Sequence, residues 1–394
     1  MKYKLKDICL TVTDGSHFSP KAQNQGYPML SVKDMKEYGF DYTNCKRISE
    51  EDFAKMKNNG CVPQKDDVLV AKDGSYLKEI FVCGQNKEEA ILSSIAIFRP
   101  NKNIVNPYYL CYLLKSPKLY NYISTNCVSG SALPRIVLKA FKEVEMEIPQ
   151  LIEQEKVVKF LKPIDDKMQK NNAINRNLLE QAVAIFSEMI WSQEKNGVIG
   201  DYCTMKSGFA FKSSWWTDSG IKVIKIGDIT QDNLRLNTCS CVTEDKVEKA
   251  SDFLVKAGDL VLAMTGATIG KYAMIPERNE NVLVNQRVGK FFLGDEPIKR
   301  LPFIYCTLKM EEVYYEIIGR GQGSAQPNIS ASDVMSIPCV IPEQEVIDEF
   351  NNTAEPLFAN IVKNQKQNEQ LIDLRDTLLP KLMSGELDVS DLDI

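Results

Sequence analysis

Four segments of this 394-residue sequence carry residue types at spacings that could do chemistry. Asn106-Pro107-Tyr108-Tyr109 has the look of the Asn/Asp-Pro-Pro-Tyr/Phe motif of adenine methyltransferases, but its second proline is missing. The later Leu301-Pro302-Phe303-Ile304 lacks the asparagine as well. Both read as helix starts, where proline's fixed φ and missing N–H suit the first helical position. Gly266-Ala267-Thr268-Ile269-Gly270-Lys271 resembles a phosphate-binding loop, yet it has three residues where four are needed, and Tyr272 replaces the Ser/Thr. It reads as a turn after a strand. The only histidine, His17, shows no Cys or Asp/Glu constellation beside it, as a nucleophile–base pair requires. Glu244-Asp245-Lys246 offers an acidic-x-Lys triplet of the kind nucleases use, a grouping that chance supplies in so charged a chain. No glycine-rich loop for S-adenosylmethionine follows a strand. Cys239 and Cys241 have no second pair to complete a zinc site, so no metal is expected.

With catalysis set aside, polar loops remain. Ser16, His17, Ser19 and Lys21 lie in one, and Lys212 and Ser213 lie in a later loop at the corresponding place. Ser131 and Arg135 belong to a Gly-Ser-Ala-x-Pro segment, and Gln322, Ser324, Gln326 and Asn328 to its second occurrence. Lys33 and Lys225 lie within strand-like runs, and Lys72, Ser75, Thr265 and Thr268 follow such runs. These are the residue types that contact phosphates and base edges of nucleic acid, and all are candidates for that role.

These residues are positioned by a duplication. Asp7-Ile8-Cys9 answers to Asp201-Tyr202-Cys203, and Gly26–Asp34 (GYPMLSVKD) to Gly220–Asp228 (GIKVIKIGD). Asp67-Val68-Leu69-Val70-Ala71 answers to Asp259-Leu260-Val261-Leu262-Ala263. Gly130–Ile136 answers to Gly323–Ile329, and Ile148-Pro149 to Ile337-Pro338. Five matches in order, at offsets between 189 and 194, make two copies of one unit. Before Pro149 and Pro338 each copy is strand-like: MLSVKDM, DDVLVA and ILSSIAIF in the first, VIKIGDI, GDLVLAM and VGKFF in the second.

After those prolines both copies turn helical. Ile164, Met168, Asn171, Asn175, Leu178, Ala182, Ile185 and Met189 alternate by four and three. Leu357, Ile361, Asn364, Asn368, Leu371, Arg375, Leu378 and Leu382 repeat that phase at an offset of 193. Such spacing is a coiled-coil seam, and paired asparagines in it fix register at a cost in stability. The connectivity makes the pair antiparallel. A helix from Ile164 to Trp191 spans about 42 Å, close to the roughly 34 Å turn of a DNA duplex. The expected organisation is α/β: a globular part at 1–150, a helical region at 151–196, a second globular part at 197–341, and a helical region with an acidic tail at 342–394.

The formal net charge of −5 argues against a strong non-specific affinity for nucleic acid. The charge is uneven, however: Glu343–Ile394 carries −8, leaving +3 on everything before it. No run of about 18 apolar residues occurs, so no membrane span is expected, and the polar N-terminus lacks the apolar core of a signal peptide. Eleven scattered cysteines fit a reducing, cytoplasmic setting.

At this point the residues resemble a known family, the specificity subunits of type I restriction–modification systems. The likeness is carried by DGSHFSP (14–20) with GYPMLSVKDM (26–35), IPQLIEQEKVV (148–158), GSAQPNIS (323–330), IPEQEVI (341–347) and LRDTLLPKLMSGEL (374–387), and it runs the full length. The resemblance implies two mixed α/β target recognition domains with a pseudo-two-fold internal repeat, separated by two long antiparallel helices in a coiled coil. Each domain would read one half of a bipartite site in double-stranded DNA. The helices would set the gap and dock two adenine methyltransferase subunits, which would carry S-adenosylmethionine, with restriction subunits joining the assembly. No cofactor would sit in this chain. The alternative is a coiled-coil scaffold for proteins alone. One departure stands out: Leu133 and Arg135 in the first copy face Gln326 and Asn328 in the second.

Overall fold

The computed structural model describes residues 1–130, 134–321 and 327–387. The chain forms two compact units: Met1–Gln169 together with the chain from Leu371 onward, and Lys170–Gln370.

In the first unit an antiparallel sheet orders the strands Cys9–Asp14, Ile95–Pro100, Val68–Ala71 and Ile80–Val82. Its inner strand Val68–Ala71 is buried at every position, which explains its unbroken apolar run. Because strand side chains alternate, Val68 and Val70 enter one core while Leu69 and Ala71 enter another on the opposite face. A second, three-stranded sheet pairs Tyr27–Leu30 antiparallel with Lys46–Ile48 and parallel with Ala90–Ile91.

The second unit repeats this plan. Thr204–Ser207, Val288–Phe292, Leu260–Ala263 and Tyr272–Met274 take the same order. Leu260 and Leu262 face one core, Val261 and Ala263 the other. Ile221–Ile224 again pairs parallel with a later strand, Val282–Val284. Its smaller sheet gains a fourth strand, Trp216–Thr217.

The runs MLSVKDM and VIKIGDI are not strands throughout. Each breaks into a 3₁₀ turn, Val32–Asp34 and Ile226–Asp228. Asp34 accepts from the Ser31 backbone at 2.8 Å, and Asp228 from that of Lys225 at 2.8 Å. A short acid that bonds the backbone three residues back competes successfully with the strand ladder.

Both proline segments are helical, with one correction. Asn106 caps the helix Pro107–Lys115, its side chain accepting from the Tyr108 N–H at 2.9 Å. The second helix, Pro297–Lys309, begins five residues before Pro302, which lies inside it. The chain copes with the interior proline because the Phe303 N–H is taken by the Asn351 side chain at 3.0 Å.

The first long helix, Leu151–Met189, has 39 residues, about 58 Å. It starts well before Ile164 and stops short of Trp191. The second, Gln344–Ser384, has 41. In each unit the shares of the two helices run antiparallel. In the first, Asp165 meets Arg375, while Val158 and Leu161 share a core with Leu379 and Leu382. In the second, Asn171 donates to Asn368 at 2.8 Å and Asn364 donates to Asn175 at 2.8 Å. The seam asparagines therefore pair with each other.

The seam departs from strict heptads at one end. Ile185 is 38% exposed, whereas Phe186 is buried against Phe303 and Phe350. A helix of 3.6 residues per turn drifts from a 3.5-residue repeat, and here the drift carries the buried stripe onto the globular core. Leu357 is likewise only partly buried while its neighbour Phe358 is fully so. Ile164, Met168, Ile361 and Leu382 are buried as expected; Leu178, Met189, Leu371 and Leu378 are partly buried.

Candidate nucleic-acid interface

One end of the four-stranded sheet gathers several of the candidate residues in each unit, and it is built by the same backbone hydrogen bonds in both. In the first unit Gly15 donates to Ile95, Ser16 to Ile91, and Ser93 to Ser16, at 2.9–3.1 Å. In the second, Gly208 donates to Val288, Phe209 to Val284, and Gln286 to Phe209, at 2.9–3.0 Å. Every partner is displaced by 193. The glycines are required, since a Cβ on Gly15 would lie 2.3 Å from the Ile91 oxygen, and one on Gly208 2.3 Å from the Val284 oxygen.

The second loop is fastened equally well. Lys72 donates to the Ser94 carbonyl and Gly74 to that of Pro134, both at 2.9 Å, and Asp73 bridges Arg135. Correspondingly, Met264 donates to Arg287 at 3.0 Å, Gly266 to Pro327 at 2.9 Å, and Thr265 bridges Asn328.

On this shared frame the side chains differ. Lys72 is buried and forms an ion pair with Asp14 at 3.0 Å, with Asp73 at 3.6 Å. Its charge is neutralised within the protein. His17 is exposed, and its Nε2 lies 3.4 Å from Asp14, so an acid does stand beside it, three residues back. The equivalent residues are Ser207 and Met264, whose hydroxyl and sulfur are 3.9 Å apart. One copy has a buried ion pair where the other has a thioether.

The remaining candidates divide. Lys33, Ser75, Arg135 and Asn328 are exposed at this end of the sheet. Ser16 donates its hydroxyl to the Phe18 carbonyl at 2.7 Å, and Thr268 donates toward the Thr265 carbonyl. Ser19 and Lys21 are exposed farther along the first loop, where Gln23 bridges Arg47. Lys225 is held against the Trp216 ring at 3.6 Å and donates to Ser240 at 2.8 Å. Exposed Lys212 and Ser213 precede Trp215, with the Lys212 ammonium 5.8 Å from its ring. Ser131, Gln322, Ser324 and Gln326 lie outside the described residues, as does the Leu133–Gln326 contrast.

Two groups escaped the sequence reading. Gln286 and Arg287 are exposed on the turn before Val288–Phe292. In the alignment of the copies they fall on Ser93 and Ser94, a match too plain to notice without the backbone frame. The second group surrounds Arg375, which the helical phase had placed in the apolar seam. It pairs with Glu37 at 2.6 Å and Asp165 at 3.4 Å, while Asp165 accepts from Tyr112 at 2.7 Å and Tyr38 at 3.1 Å. Burial opposes the Arg375 charge most strongly, but Glu37, Tyr38 and Asp376 together outweigh it and the guanidinium is held more firmly protonated than usual. Burial, then Glu37 and Asp165, push the Tyr38 phenol up. In the second unit Asp232 takes over, accepting from Tyr305 at 2.5 Å and pairing with Lys309 at 2.6 Å.

The catalytic look-alikes resolve as structure. Gly266–Thr268 is a 3₁₀ turn that leads into the strand Tyr272–Met274, not into a helix whose N-terminus could hold phosphate. Among the described residues no three His, Cys, Asp or Glu side chains are grouped to hold a metal, and no helix is long and apolar enough to cross a membrane.

Comparison with known proteins falls along the same division. A family model for the type I restriction modification DNA specificity domain matches residues 1–180 and again 194–369, one match per copy. The sequence is 25% identical to the MjaVIII type I restriction enzyme specificity subunit of Methanocaldococcus jannaschii, across 93% of this chain and 90% of that protein. It is 21% identical to the HindI specificity subunit of Haemophilus influenzae, across 82% and 87%. The fold is similar to the crystal structure of the type I restriction–modification S subunit from M. genitalium, with a TM-score of 0.52, 15% identity, and 97% and 95% of the two chains covered.

Proposed function

Because this chain belongs to the type I restriction–modification DNA specificity family, we propose that it is the DNA-reading subunit of such a complex, each unit recognising one half of a bipartite duplex site. The observation that carries this is the shared sheet end. Two copies keep one backbone frame to the hydrogen bond while presenting different side chains on it. That is the arrangement two readers of different half-sequences need: fixed positions, altered contacts.

The paired long helices set the gap between half-sites, their register fixed by the Asn171–Asn368 and Asn175–Asn364 bonds. Chemistry belongs to the partners. Two adenine methyltransferase subunits, bearing S-adenosylmethionine, dock on this chain and act on adenines taken out of the stack, and restriction subunits that hydrolyse ATP complete the assembly. The acidic second helix suits protein docking better than phosphate contact, and the partners supply much of the latter. The cytoplasm is the compartment where such a complex meets its DNA.

The test is binding of the chain, assembled with its methyltransferase subunits, to a library of bipartite duplexes. Selection of two fixed half-sequences at one gap is expected; equal binding to all duplexes overturns the reading. Removing one heptad from each helix should shorten the selected gap and leave both half-sequences unchanged. Specific DNA should also protect residues 13–21 and 207–213 from chemical modification, which a scaffold for proteins alone would not allow.

A further inference from the structure

The strand Val282–Val284 ends in a three-residue turn, Asn285-Gln286-Arg287, before the chain re-enters the main sheet at Val288. Its backbone is fixed from every side. Asn285 donates to Ile224 at 3.0 Å, Gln286 to Phe209 at 3.0 Å, and Val288 to Asn285 at 2.8 Å. The Arg287 carbonyl accepts from Met264 at 3.0 Å, and its N–H is turned toward the buried Asn285 side chain at 3.3 Å. Through Met264 and Thr265 the turn adjoins exposed Asn328, and through Phe209 it adjoins the loop leading to Lys212. On this rigid base the Gln286 and Arg287 side chains are exposed and have no hydrogen-bond or ion-pair partner among the described residues.

Arg287 is an exposed arginine with no acid to hold it among the described residues, and it stands next to an unengaged carboxamide. Three cations of the same unit are occupied by contrast: Lys225 by Ser240 and Trp216, Lys290 by Asp259, Lys309 by Asp232. The guanidinium fork matches the O6 and N7 acceptors of guanine, and a carboxamide matches N6 and N7 of adenine. Both matches need fixed side-chain origins, which the clamped turn supplies. In the first unit the same backbone bonds hold Ser93 and Ser94, and the Ser94 hydroxyl accepts from the Val32 N–H at 3.0 Å. Those short side chains cannot make either bidentate contact.

We infer that Gln286 and Arg287 determine specificity in the second unit by reading base edges, and that the first unit has no equivalent readers at Ser93 and Ser94. This rests on the proposed DNA-reading function. The experiment measures relative binding to a bipartite duplex library by the methyltransferase complex, with the wild-type chain and with Arg287→Ala, Arg287→Lys and Gln286→Ala. Arg287→Ala and Arg287→Lys should each lose roughly ten- to hundredfold discrimination at one base pair of a single half-site. Gln286→Ala should relax a neighbouring position, and the other half-site should be untouched. Arg287→Lys keeps the charge, so its salt dependence should match wild type. Uniform weakening across all sequences by Arg287→Ala, with the salt slope reduced by about one, marks a phosphate contact and overturns the inference. An unchanged selected sequence also overturns it. A wild-type complex with no sequence preference instead defeats the function on which it rests.

Discussion

Two contacts at the same place in the two units differ as much as side chains can. Asp14 and Lys72 form an ion pair under the first unit's loops, while Ser207 and Met264 meet at the equivalent point of the second. The surrounding backbone bonds are nevertheless matched partner for partner. The lesson concerns where each property resides. Main-chain bonds and two glycines fix the frame, so the contacts beneath and upon it are free to change sign, size and polarity.

The strongest test of that division lies where the helices meet the cores. Phe186→Ala should cost about 3–5 kcal/mol by opening a cavity in the second unit, whereas Ile185→Ala next to it should change stability by less than about 0.5 kcal/mol. Urea unfolding midpoints of the two variants check this, and equal losses would restore Ile185 to the seam.

Lys72→Met alone should cost about 3 kcal/mol by stranding the Asp14 carboxylate. Asp14→Ser with Lys72→Met, which installs the second unit's pair in the first, should recover most of that loss. A double-mutant cycle by thermal unfolding reads the coupling; an uncoupled double variant would mean that the frame depends on the ion pair after all.

A smaller loss, about 2 kcal/mol, is expected for Arg375→Met, because Tyr38 and Tyr112 still donate to Asp165. In the second unit Gln365→Met should cost about 1 kcal/mol, since Gln365 contributes one bond, to the Asp232 carbonyl at 3.1 Å. Comparable losses in calorimetry would show the two anchors to be equivalent.

Asn171→Leu with Asn368→Leu should change stability by no more than about 1 kcal/mol. Its effect is on register: with cysteines introduced as Asn175→Cys and Asn364→Cys, disulfide trapping should become incomplete. Full trapping would take register control away from the asparagines.

Much of this was legible in the residue order, for reasons that can be named. Val68–Ala71 and Leu260–Ala263 announce inner strands because burial on both faces demands unbroken apolar runs. The asparagines announce their pairing because a polar seam position needs a partner on the facing helix. Pro302 misled because its tolerance depends on Asn351, far away in sequence. At the sheet end, composition picked out Lys72, a cation that Asp14 has already neutralised. It passed over Arg287, whose exposure becomes evident only once Gly208, Phe209 and Met264 are known to clamp its turn. Loop residues announce their type in the sequence, but whether a charge is spent inside the protein is a matter of tertiary partners.

The core of the first unit contains Leu379 and Leu382, near the end of the second long helix. The second unit, by contrast, is one uninterrupted stretch, Lys170–Gln370. During synthesis from the N-terminus the unit translated first therefore waits longest for its last apolar residues, and the unit translated second can close before it. Any chain released early, after Gln370, would hold one finished unit and one with an open hydrophobic face.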